Sequence, residues 1–173
     1  PTLLPSKTDI YLTKGHPLLF YFLISGWISL FSETILVVRI LPFFLSLLLL
    51  ISVHYLFRKN ISLPVANTAV LLTVVQSLFL AQASLVLPEI LLTLLLILSL
   101  HFFLQKKWVM YAIMASLMAL TKETGLVFAW GFGLFYLLEN RNRILHRKTG
   151  IIVAVLFVPA MVYVIHLMLH YIS

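Results

Sequence analysis

Long apolar runs separated by short polar breaks dominate this chain. The runs cover residues 35–57, 65–83, 88–104, 108–120, 126–138 and 151–169. Each is apolar on all sides rather than along one stripe, the pattern of a helix surrounded by lipid or by other helices. The breaks are Arg58-Lys59-Asn60, Ser84 to Leu87, Gln105-Lys106-Lys107, Thr121 to Gly125, and a basic segment over 139–150. A shorter stretch, 16–31, is interrupted by Ser25, Gly26 and Ser29 and carries Tyr21 and Trp27, residue types that favour the membrane interface. It predicts an interfacial helix, preceded by an external loop over 1–15. The fold expected is all-α: a polytopic transmembrane helical bundle of about five to six membrane helices plus that interfacial helix, in a single transmembrane domain over 1–173.

Composition removes the soluble alternative. Charged residues make up 10% of the chain and hydrophobic ones 62%, with a mean hydropathy of +1.12; soluble domains carry about 25% charged residues. The chain starts at Pro1 without a signal-peptide pattern, so it reads as an internal piece of a longer protein. With no cysteine there is no disulfide or thiolate metal site.

A net charge of +7 would suggest nucleic acid, but the basic residues cluster between apolar runs as topology signals do. Eight of the twelve, Arg58, Lys59, Lys106, Lys107, Arg141, Arg143, Arg147 and Lys148, fall in three clusters spaced two apolar runs apart. All three clusters can therefore sit in the cytoplasm, and no nucleic-acid partner is expected. The other side receives Asp9, Lys14, His16, Glu33, Glu89, Lys122 and Glu123, including four of the five acids. Any chemistry then faces the outside of a bacterial or archaeal plasma membrane, or the lumen of the endoplasmic reticulum.

Glu89 is the only ionisable residue between Asn60 and Leu100. A carboxylate at the centre of a membrane helix costs about 2.5–3.5 kcal/mol on insertion scales. Either Glu89 marks a water-facing first turn, which Pro88 and the helix dipole favour, or it serves a site. Thirteen-residue runs on both sides of Thr121 to Gly125 rise only about 20 Å, against a hydrocarbon core of about 30 Å. That turn should lie within the outer leaflet, where Lys122 either pairs with Glu123 or faces a water-filled cavity. Arg39, four residues into its run, could bind phosphate, pair with Glu33 or extend its guanidinium to the interface. His54 and His101 read as interfacial. His166 and His170 have an i,i+4 spacing that can hold a metal, but no carboxylate lies near them in sequence and no metal site is assigned. No cofactor is expected, and a divalent metal is left open.

Four segments carry a family resemblance. Lys14-Gly15-His16-Pro17-Leu18-Leu19-Phe20-Tyr21 resembles the G-H-P-P-L-Y-Y motif of GT-C membrane glycosyltransferases, with one proline in place of two. That branch contains the dolichyl-phosphate-mannose-protein mannosyltransferases and the bacterial lipid A aminoarabinose transferase. Ser32-Glu33 followed by Val38-Arg39-Ile40-Leu41-Pro42 is similar to its S-E…R-L-P-S pattern. Ala81-Gln82-Ala83 through Leu87-Pro88-Glu89 resembles A-R/Q-x…x-P/M-D/E, and Ala119-Leu120-Thr121-Lys122-Glu123-Thr124-Gly125 resembles L-T-K-x-x-G. The segments keep the family's order from Lys14 to Leu138.

The resemblance implies transfer of a sugar from a polyprenyl-phosphate donor to an external acceptor (protein, lipid or glycan). It implies a lipid-bilayer setting and a second acid at the position of Glu89. The family's principal acid lies upstream of the G-H-P motif; here Asp9 is the one acid ahead of His16, and it is closer to the motif than the family acid. The candidate site is therefore Glu89 and Asp9 as catalytic acids, with Lys14, His16, Arg39 and Lys122 binding substrate. Two other classes compete. A secondary transporter would place its charges near the bilayer centre and show inverted halves. A non-catalytic assembly subunit would use the same charges to pair helices.

Overall fold

The computed structural model describes residues 19–141 and 147–172. Asp9, Lys14 and His16 lie outside the described residues. Within them the chain forms eight α-helices and no strand: α1 Leu19–Leu30, α2 Ile35–Asn60, α3 Leu63–Val74, α4 Ser77–Ser84, α5 Glu89–Leu104, α6 Trp108–Thr121, α7 Thr124–Glu139 and α8 Arg147–Ile172. It is an all-helical membrane bundle.

Two stretches are long and apolar enough to cross a bilayer unaided, Ile35–Asn60 and Thr149–Met168. The run 65–83 is not one rod. It is α3 and α4, bent by 67° at Val75-Gln76. The bend has local causes. Thr73, Val74 and Val75 are β-branched and weaken helix propensity. The Thr73 hydroxyl donates back to the Ala69 carbonyl at 2.8 Å, a contact that bends helices. Leu71, Leu72 and Val75 are all exposed, so no neighbour holds the segment straight.

The bundle is built around α6, which packs against α1, α5, α7 and α8. Its inner face is small: Ala112, Ala115 and Ala119 are buried, letting neighbouring backbones approach closely. Tyr111, also on α6, is fully buried and donates its hydroxyl to the Ala129 carbonyl of α7 at 3.2 Å. Phe103 of α5 meets Tyr111 and Phe132 edge-on or tilted, at 5.7 and 5.3 Å between ring centroids. The indole of Trp27 on α1 donates to the Val37 carbonyl of α2 at 2.8 Å, fastening α1 beside the first turn of α2.

The α5–α6 connection positions the site. Lys107 N–H donates to Phe102 O and Lys106 N–H to Phe103 O, both at 2.9 Å, which is a Schellman closure of α5. Its left-handed position is held by Lys106 at φ 58° instead of glycine. The result is a tight antiparallel hairpin with arms of 16 and 14 residues. Arms of nearly equal rise, about 24 and 21 Å, bring the first residue of α5 level with the last of α6.

Candidate functional site

The hairpin ends on Glu89 and Lys122. Lys122 donates to Glu89 Oε1 at 2.8 Å across 33 residues of sequence. It is the one ion pair defined among the described residues, and its partner is Glu89 rather than the adjacent Glu123. The two side chains are 27% and 29% exposed, so the pair is partly shielded from water and still reachable.

Both ends of the pair are set by local geometry. Glu89 opens α5 behind Pro88, whose φ of −72° suits a helix start and whose carbonyl accepts from Leu92 N–H at 2.9 Å. The carboxylate therefore faces the positive end of the helix as well as the ammonium. Its second oxygen, Oε2, is buried and has no hydrogen-bond partner among the described residues. Lys122 lies between helices with an extended backbone (φ −160°, ψ 147°), which turns its side chain away from the axis of α6. Thr121 before it is buried and returns its hydroxyl to Leu117 O at 2.8 Å.

Gly125 completes the turn. A Cβ there would lie 2.4 Å from Met118 O and 2.9 Å from Ala119 N, atoms of the α6 backbone that cannot move aside. Only glycine allows α7 to start so close to α6. The glycine of the L-T-K-x-x-G segment is the signal in the sequence for this constraint, since a helix restart three residues after a helix end demands close backbone approach.

Of the six residues expected at a site, the structure joins Glu89 and Lys122. Arg39 is exposed on α2 and makes no ion pair among the described residues. Asp9, Lys14 and His16 fall outside the described residues, as does the side chain of His170. His54 bonds Asn67 at 3.2 Å, tying α2 to α3. His101 is buried between Tyr55 and Phe102 and bonds Gln105. Among the described residues no group of three or more metal-ligating side chains comes together.

An ammonium held by a half-satisfied carboxylate at a ragged end of an apolar bundle can offer two further N–H donors to an anion. The family model described as dolichyl-phosphate-mannose-protein mannosyltransferase matches residues 15–166. The chain belongs to that family. It is accordingly a membrane glycosyltransferase of the GT-C type. No curated protein and no solved structure matches it. The family match spans α1 to α8 and contains both members of the ion pair.

Proposed function

We propose that this mannosyltransferase-family chain contributes the donor-phosphate side of a site that transfers a sugar from a polyprenyl-phosphate carrier to an acceptor outside the cytoplasm. The observation that carries the reading is the Lys122–Glu89 pair, held by two motif segments of one family at the same end of one hairpin. In the reaction an acceptor hydroxyl or amine attacks the anomeric carbon, the bond from that carbon to the phosphate oxygen breaks, and its electron pair leaves with the lipid phosphate. A cation already in place where that charge develops lowers the barrier without reorganisation. Lys122 supplies it, and the reduced local dielectric makes it worth more than in water. Glu89 faces the acceptor and takes its proton; in the same reading Asp9 is a second acid, and Lys14, His16 and Arg39 are further cations for the phosphate.

The test uses purified, detergent-stable full-length protein. Lys122→Met should weaken donor binding, because it removes the cation opposite the lipid phosphate. Glu89→Gln should lower turnover and leave donor affinity largely unchanged. Full specific activity per folded molecule in both variants would sink the site and leave the pair as a device for pairing helices.

A further inference from the structure

At the end of the hairpin away from Glu89, cations converge from two helices. Lys59 lies in the last turn of α2, while Lys106 and Lys107 form the α5–α6 turn, 47 and 48 residues later in the chain. Lys59 and Lys107 lie around one aromatic pair, and Lys106 precedes Lys107 in the turn. The Tyr55 and His101 rings stand 5.1 Å apart, the Lys59 ammonium lies 5.6 Å from the Tyr55 ring centroid, and Lys59 and Lys107 both act electrostatically on His101. All three lysines are exposed, and none makes an ion pair among the described residues.

A count of positive charges is enough to orient a membrane protein. Orientation does not require lysines from distant segments to share one corner, where like charges repel. Nor does it require a lysine at φ 58°, a backbone position that glycine fills with less strain. The surroundings narrow the choice of counter-ion. Leu104, Val109 and Met110 are exposed immediately beside the lysines, with Trp108 between them. A soluble anion has no use for that apolar border, whereas a lipid has both a charged head and acyl chains to place against it.

We propose that Lys59, Lys106 and Lys107 form a binding site for the phosphodiester headgroup of an anionic membrane phospholipid. The site is separate from the transferase centre and does not rest on the reading of it. The phosphate accepts from the lysine ammonium groups, and the chains lie along the exposed apolar residues of α5 and α6. Binding there ties the end of α2 to the hairpin that carries Glu89 and Lys122.

The experiment measures retention of phosphatidylglycerol and of phosphatidylcholine by the purified full-length protein, read by native mass spectrometry. Phosphatidylglycerol should be held preferentially. Lys59→Gln combined with Lys107→Gln should lower its retention roughly thirty-fold, while Arg141→Gln, at the end of another helix, should change little. Equal retention of the two lipids, or unchanged retention by the double variant, would overturn the proposal. Raised salt should release the lipid from the unmodified protein, and indifference to salt would also refute the site even if the double variant failed to fold. Inorganic phosphate in large excess should not displace the lipid; displacement would identify a free-anion site and sink the lipid assignment.

Discussion

Breaking the Lys122–Glu89 pair tests the centre of the structure directly. At 2.8 Å two unit charges attract by about 6 kcal/mol at an effective dielectric of 20. Desolvation and side-chain ordering remove most of that. Exposed pairs retain about 0.2–1 kcal/mol, and breaking a buried pair costs about 3–5 kcal/mol. With 27% and 29% exposure this pair lies between those limits, so a coupling of about 1–2 kcal/mol is expected. Lys122→Met should be the worse single change, at about 2 kcal/mol, because it strands a carboxylate whose Oε2 already lacks a partner. Glu89→Gln keeps an acceptor oxygen for the ammonium and should cost about 1 kcal/mol.

The double variant removes both charges and should be less destabilised than the sum of the singles. The assay is equilibrium unfolding of the full-length protein in detergent, with all four members of the cycle compared. Additivity within about 0.5 kcal/mol would refute an energetic coupling between Glu89 and Lys122 across α5 and α6. Activity gives a second readout. If the pair serves the site, the double variant regains stability without regaining transfer; if it only ties helices, both return together.

Three other outcomes follow from particular contacts. Gly125→Ala puts a Cβ 2.4 Å from Met118 O and should cost about 3 kcal/mol or more by overpacking, seen as a lowered Tm together with lost transfer. Lys106→Gly relieves the left-handed backbone at φ 58° and should stabilise the fold by about 0.5–1 kcal/mol; a loss of stability would show that the lysine side chain contributes more than its backbone costs. Single cysteines at Asn60 and Ser84, in a chain without cysteine, should react oppositely with an impermeant maleimide, and labelling of Asn60→Cys from outside intact cells would reverse the orientation.

The helical class was legible because the apolar runs are continuous and their breaks polar: α5, α6 and α7 occupy Glu89–Leu104, Trp108–Thr121 and Thr124–Glu139, against runs read over 88–104, 108–120 and 126–138. The bend between α3 and α4 was not legible. Hydropathy stays high through Thr73-Val74-Val75, and what breaks the rod is β-branching and lack of packing, neither of which changes an apolar pattern. Glu89 and Lys122 were legible singly, as charges stranded among apolar residues. Their contact was not, because pairing across 33 residues depends on the matched arms of a hairpin whose turn is closed by a lysine in a glycine conformation. Local reasoning offers Lys122 the adjacent Glu123 or a water-filled cavity; the extended backbone of Lys122 directs its side chain across to Glu89 of α5 instead.

The motif segment from Thr121 to Gly125 therefore divides its work between shape and chemistry. Thr121 satisfies its own hydroxyl on the preceding turn and ends α6 inside the bundle. Gly125 lets α7 restart against the α6 backbone, so the link between the helices is short and Lys122 has one way to turn. Only Lys122 then carries charge to the far arm. A residue that never touches substrate can in this way decide where the cation stands. On the proposed reading Gly125 positions Lys122, and the damage from Gly125→Ala should then reach the reaction through Lys122. A variant that keeps the glycine and removes the charge separates the two roles: Lys122→Met should keep the close α6–α7 approach at Gly125 and lose the ion pair to Glu89, so its loss of stability should stay below that of Gly125→Ala.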